Sequence, residues 1–149
     1  TLFTRRWAYC MRALIAVGIG LLAPAAVQGE ARSDYLLHCG GCHLENGSGN
    51  PPEVPDLRRD IDWLASTAEG RSYLTRVPGA SQVPISDARL AAVFNWILGT
   101  YYPSRTDVRL FTGEEIGATR GQPLYDPLAA RDQLSSRDAT AKNGILPGA

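Results

Sequence analysis

Residues 39–43 read Cys39-Gly40-Gly41-Cys42-His43, and no other short stretch limits the chain so tightly. Two thiols stand three positions apart, and an imidazole follows at once. Four chemistries use such a pair. A structural zinc site wants four ligands, and there is no second cysteine pair in the chain. A thioredoxin-like redox pair wants a strand ahead of it and a βαβ frame, whereas the flanks here carry helical spacing. A disulfide asks only for an oxidising compartment, and spacing alone leaves it open. The fourth is covalent attachment of heme c, whose signature is Cys-x-x-Cys-His. Each thiol can form a thioether to one vinyl group, and His43 then falls under the iron as its nitrogen ligand.

The opening residues bear on the compartment. Arg5, Arg6 and Arg12 precede an uncharged apolar run over 13–27, and small residues follow. This is the pattern of an export signal over 1–29, cleaved after 23–25 or 27–29. The run falls short of the ~20 residues of a spanning helix, so no stable membrane span is expected after cleavage. Arg5-Arg6 hints at a twin-arginine signal, but the residues around it fit poorly. Cys10 leaves with the signal, so Cys39 and Cys42 are the cysteines of the exported chain. No acidic residue comes before Glu30, so the exported body is mildly acidic and has no basic run. Nucleic acid is therefore excluded as a partner. With 44% hydrophobic and 20% charged residues, a packed core is within reach.

Helical signals dominate the rest, and no strand pattern is present. A first helix is expected over 31–40, with Tyr35, Leu36 and Leu37 on its apolar face. Gly47, Gly49, Pro51 and Pro52 mark a loop. One or two short helices fall within 60–77, with Trp63, Leu64, Tyr73 and Leu74 inward and Gly70 as the separator. Arg71 and Arg76 could reach heme propionates, but are read as a solvated helix face. Ser86 is an N-cap ahead of Leu90, Val93, Phe94, Ile97 and Leu98, which recur at helical spacing. Thr112 and Glu115 have capping-box spacing. Asp126-Pro127 opens a further helix toward Arg137. The last dozen residues read as a loose tail.

With these pieces in order, residues 33–100 resemble a class I cytochrome c domain. The resemblance rests on Tyr35 to His43, on Gly47-Ser48-Gly49, on Val54-Pro55-Asp56-Leu57, and on Ile85-Ser86-Asp87 opening a helix with Asn95-Trp96. It implies an all-α fold around one covalent heme, with the cytochrome domain over 30–102. A helical extension and tail fill 103–149, packed over the domain or forming a docking surface. It implies that Pro55 gives its carbonyl to the free N–H of His43, fixing the ring. It also implies that Tyr35 and Trp96 meet where the first and terminal helices cross.

One departure stands out. The family usually places a methionine shortly before the terminal helix, as the second axial ligand. Residues 76–86 contain none, and the chain's one methionine is Met11. His38 is too near His43 to reach the opposite heme face, Ser81 and Gln82 are weak donors, and nothing positions Lys142. The expected iron is five-coordinate, or holds water or a weak side chain, with a lower potential than methionine/histidine ligation gives. The resemblance implies a non-enzymatic carrier of single electrons in the periplasm, with a redox protein or dehydrogenase as partner. The alternative is a heme protein that binds a small gas or peroxide.

Overall fold

Helix caps and apolar spacing account for most of the architecture. The computed structural model describes the backbone of residues 23–142 and the side chains of residues 30–140. The signal-type residues Arg5, Arg6, Cys10, Met11 and Arg12 lie outside them. Among the described residues there are eight helices. They are α1 (Ala23–His38), α2 (Gly40–His43), α3 (Ile61–Ala65), α4 (Ala68–Arg76), α5 (Pro78–Ser81), α6 (Asp87–Tyr101), α7 (Gly113–Thr119) and α8 (Pro127–Lys142). The described residues hold no strand, only an isolated bridge between Asn50 and Val54. The expected all-α class is the one observed.

α1 begins earlier than expected, at Ala23: Pro24 falls in its first turn, where proline is tolerated, and Gly29 alone does not break it. α6 begins where its cap requires: Ser86 Oγ accepts from the Arg89 N–H at 3.3 Å. Leu90, Val93, Phe94, Ile97 and Leu98 are all buried, as their spacing demands. α1 crosses α6, and the Tyr35 and Trp96 rings meet there at 4.9 Å between centroids. A second tie was not legible beforehand. Asp34, 3% exposed, receives two hydrogen bonds from the Arg89 guanidinium.

Two expectations for 60–77 are corrected. Gly70 lies inside α4, and the chain breaks at Ser66 and Thr67 instead. Thr67 caps α4 by accepting from the Gly70 N–H at 3.1 Å. A Cβ at Gly70 would stand 2.2 Å from the Leu64 carbonyl oxygen, so glycine is there to let α4 pack on α3. Arg71 is not on a solvated face. It is 5% exposed and its guanidinium chelates Glu115 at 2.5 and 2.7 Å. It also donates to the carbonyls of Ala65, Arg109 and Leu110 and stacks 3.8 Å from the centre of the Phe111 ring. Arg76 is half-buried and donates to the Gln122 carbonyl at 2.6 Å.

The residues after Pro103 pack on the rest of the molecule. Val108, Phe111 and Ile116 belong to the same buried cluster as Tyr35, Leu64 and Phe94. Asn95 pairs with the Phe111 backbone in both directions, at 2.8 and 3.0 Å. Thr112 caps α7 through the Glu115 N–H. The Glu115 side chain does not complete the capping box, because Arg71 holds it. Asp126 caps α8 through the Ala129 N–H. α8 runs past Arg137 to Lys142, so residues 138–142 are helical rather than loose.

Candidate functional site

α1 delivers the site. It ends at His38, Cys39 turns the chain, and α2 carries Cys42 and His43. The Cys39 carbonyl accepts from the backbone N–H groups of Cys42 and His43, which holds the five residues in one tight turn. Both cysteines are free; Cys39 is half-buried and Cys42 is exposed. The disulfide left open by spacing is therefore not formed. Burial, with Asp34 and Cys42 nearby, pushes the Cys39 thiol up to about 11. Reactive redox thiols are shifted the other way, so Cys39 does not suit the attacking role in thioredoxin-like exchange.

His43 is half-buried, and its Nδ1 donates to the Pro55 carbonyl at 3.0 Å. That bond fixes the proton on Nδ1 and leaves Nε2 with a free lone pair. Burial pulls the imidazole pKa down, and the Pro55 bond offsets part of this. A neutral ring with Nε2 free is the form that ligates a metal.

Pro55 is set by the loop that carries it. Leu44, directly after His43, takes φ 61° and turns the chain away. Its carbonyl accepts from the Tyr35 hydroxyl at 2.7 Å. Gly49 has φ 59°, and a Cβ there would meet the Val54 and Pro55 carbonyl oxygens at 2.4 and 2.7 Å. Only glycine allows that approach. Tyr101 donates to the Glu45 carbonyl at 3.5 Å. Tyr102 donates to the Leu57 carbonyl at 2.8 Å and accepts from the Ile61 N–H at 3.2 Å. The C-terminal end of α6 thus holds the loop at two places. Only the loop's glycines and prolines announced it in sequence; the tyrosines did not.

The donor set suits a heme: two free thiols in one turn and one oriented imidazole. A further sign is Trp63, whose indole N–H is buried with no partner among the described residues. A buried donor left unpaired is costly, and a carboxylate-bearing cofactor would satisfy it. Among the described residues, no group of three or more His, Cys, Asp or Glu could hold a bare metal ion.

His38 ends α1, five positions before His43. Gln82 is exposed and Ser81 is half-buried at the end of α5. The side chain of Lys142 lies outside the described ones. A crevice of about 510 Å³ between α4 and α8 is lined by Tyr73, Arg76 and Leu134. A second, of about 430 Å³, is lined by Pro55, Asp60 and Arg131. Neither is lined by Cys39, Cys42 or His43.

No family model matches the chain, and no solved structure matches it. Cytochrome c-552 of Thermus thermophilus is similar, 28% identical over 138 residues that cover 78% of this chain and 91% of that protein. The similarity supports a c-type cytochrome that carries electrons. No helix among the described residues is long and apolar enough to cross a membrane.

Proposed function

We propose that the chain is an exported c-type cytochrome with one heme, passing single electrons between redox partners in the periplasm. A periplasmic dehydrogenase is the electron donor in this reading. Cys39 and Cys42 provide the thioether sulfurs, and His43 Nε2 provides the axial nitrogen. Pro55 holds the imidazole plane and raises its basicity as a ligand. Trp63 offers its unpaired N–H to a propionate. The single observation that carries the proposal is the 3.0 Å bond from His43 to Pro55, beside two free thiols in one turn. The bound heme supplies the Fe(III)/Fe(II) couple. The chain's own contribution is to anchor, orient and partly dry that group. Exposed Leu37 and Leu44 flank the motif and leave an apolar edge for a partner to approach.

A second reading has one observation behind it. Residues 76–86 offer no sulfur, and Gln82 stands in solvent. An iron without a strong second ligand can take carbon monoxide, nitric oxide or peroxide. The two readings part in one experiment. The chain is made in a host with heme-attachment machinery, and the dithionite-reduced spectrum is taken before and after adding carbon monoxide. Absence of covalent heme would end the proposal. A large Soret shift is the expected result and marks a weakly held sixth site. An unchanged low-spin spectrum would remove the gas-binding reading and leave electron transfer alone.

A further inference from the structure

Arg120 follows α7, its own N–H still bonded to Ile116, and points back at a distant stretch of backbone. Its Nη2 donates to the Val83 carbonyl at 2.6 Å and its Nη1 to the Ile85 carbonyl at 3.1 Å. Longer contacts of 3.4 and 3.5 Å reach the Ser81 carbonyl. The Asp87 carboxylate neutralises the guanidinium at 3.0 Å. The Arg120 side chain is 14% exposed. One planar fork thus takes three carbonyls of a single five-residue segment. Lysine, with one point of charge, could not do this.

The segment so held is 81–85, between α5 and α6. In a methionine-ligated cytochrome, an iron–sulfur bond would itself tether such a stretch. This chain has no methionine there. We infer that Arg120 is a positioning residue that holds residues 81–85, where the family resemblance would put the second iron ligand, so that their place does not depend on such a ligand. What the segment faces rests on the heme reading above; what holds it is shown by geometry alone. The helical stretch after Pro103 thereby gains a role. It carries the brace for a segment that the iron does not hold. A small ligand could then exchange at the sixth position without the segment coming loose.

The test uses Arg120→Gln in the full chain, with Thr119→Val as its companion. Thr119→Val loses the Thr75–Thr119 hydroxyl bond of α7 while leaving the Arg120 fork in place. Two readouts are taken: hydrogen exchange at the N–H groups of Ser81, Gln82 and Ile85, and the carbon monoxide association rate of the ferrous protein. Those three amides are bonded to Val77, Pro78 and Val83. In the wild type their protection should be the same with and without carbon monoxide. Arg120→Gln should speed their exchange by about tenfold and carbon monoxide association by about threefold. Thr119→Val should leave both at wild-type values. Unchanged values in Arg120→Gln, or equal changes in Thr119→Val, would overturn the inference. If the wild type holds no heme, the functional proposal fails by itself. Exchange on the heme-free chain still decides whether Arg120 is the tether.

Discussion

The loop over 44–57 and the segment over 81–85 are held in opposite ways. The first is anchored by neutral hydroxyls from within the cytochrome-like part: Tyr35 on Leu44, Tyr101 on Glu45 and Tyr102 on Leu57. The second is anchored by a charged side chain from the residues that follow it, Arg120. That following stretch is itself fastened by an ion pair, Arg71 with Glu115. The side that orients His43 is thus self-contained. The other side borrows its order from a part of the chain outside the cytochrome pattern. Perturbing α7 should therefore reach one side and spare the other.

Removing the Arg71 charge should have the largest effect. Arg71→Met leaves Glu115 and the carbonyls of Ala65, Arg109 and Leu110 without their donor. Breaking a buried pair by deleting one partner costs about 3–5 kcal/mol, and Arg109 beside Glu115 favours the lower end. Urea melts measure the loss, and limited proteolysis should cut first beyond Pro103. Equal cutting within 44–57 would break the contrast between the two sides.

Next come two glycine substitutions that meet opposite fates. Gly49→Ala forces a Cβ against backbone oxygens at φ 59°. It should cost about 2–3 kcal/mol. It should also change the heme spectrum, because the Pro55 carbonyl must move. Gly117→Ala meets the Asp87 carboxylate oxygen at 2.6 Å, the end of a side chain that can turn aside by loosening its pair with Arg120. Its cost should stay below about 1 kcal/mol, with the spectrum unchanged. Tyr102→Phe falls between them in thermal melts. It removes the donor to the Leu57 carbonyl and the weaker of two acceptors of the Ile61 N–H, which keeps the Arg59 carbonyl at 2.8 Å, at about 1–2 kcal/mol.

The contrast also explains what could be read in advance. Ser86, Thr112 and Asp126 cap N–H groups three residues on, so their spacing carries their role, and the motif over 39–43 is likewise readable within five residues. The periodic core of α6 was legible for the same reason. Arg71 and Glu115 lie 44 positions apart, Arg120 and Val83 37, and Tyr102 and Leu57 45. No local pattern pairs them. Arg71 looked like a surface residue because arginine is rarely buried without a partner, and its partner was out of sight. Gly70 looked like a break because glycine ends helices more often than it lets two of them touch.

The smallest effect is acid sensitivity, and it separates the two anchoring modes most sharply. The Arg71 guanidinium beside Glu115 holds its carboxyl below the ordinary 4.5, with Arg109 adding to the pull. A lowered folded-state pKa means the unfolded chain takes up the proton first. The pair's contribution is therefore whole above about 4.5 and is lost as pH falls through the lower folded value. Glu115→Gln should be less stable than the wild type at pH 7 by a fraction of the Arg71→Met loss. That gap should close as pH falls below 4.5. The tyrosine hydroxyls that anchor the loop over 44–57 have no such dependence in this range. Burial pushes the Tyr102 hydroxyl up to about 12, so it stays neutral. Asp56, bonded to Arg58, is pushed down to about 2, so its own contribution begins to fall only below the ordinary 3.8. On mild acidification, hydrogen exchange should therefore rise first in α7 and residues 81–85, while residues 44–57 keep their protection. A constant gap between wild type and Glu115→Gln across that range would show that the pair does not fasten α7.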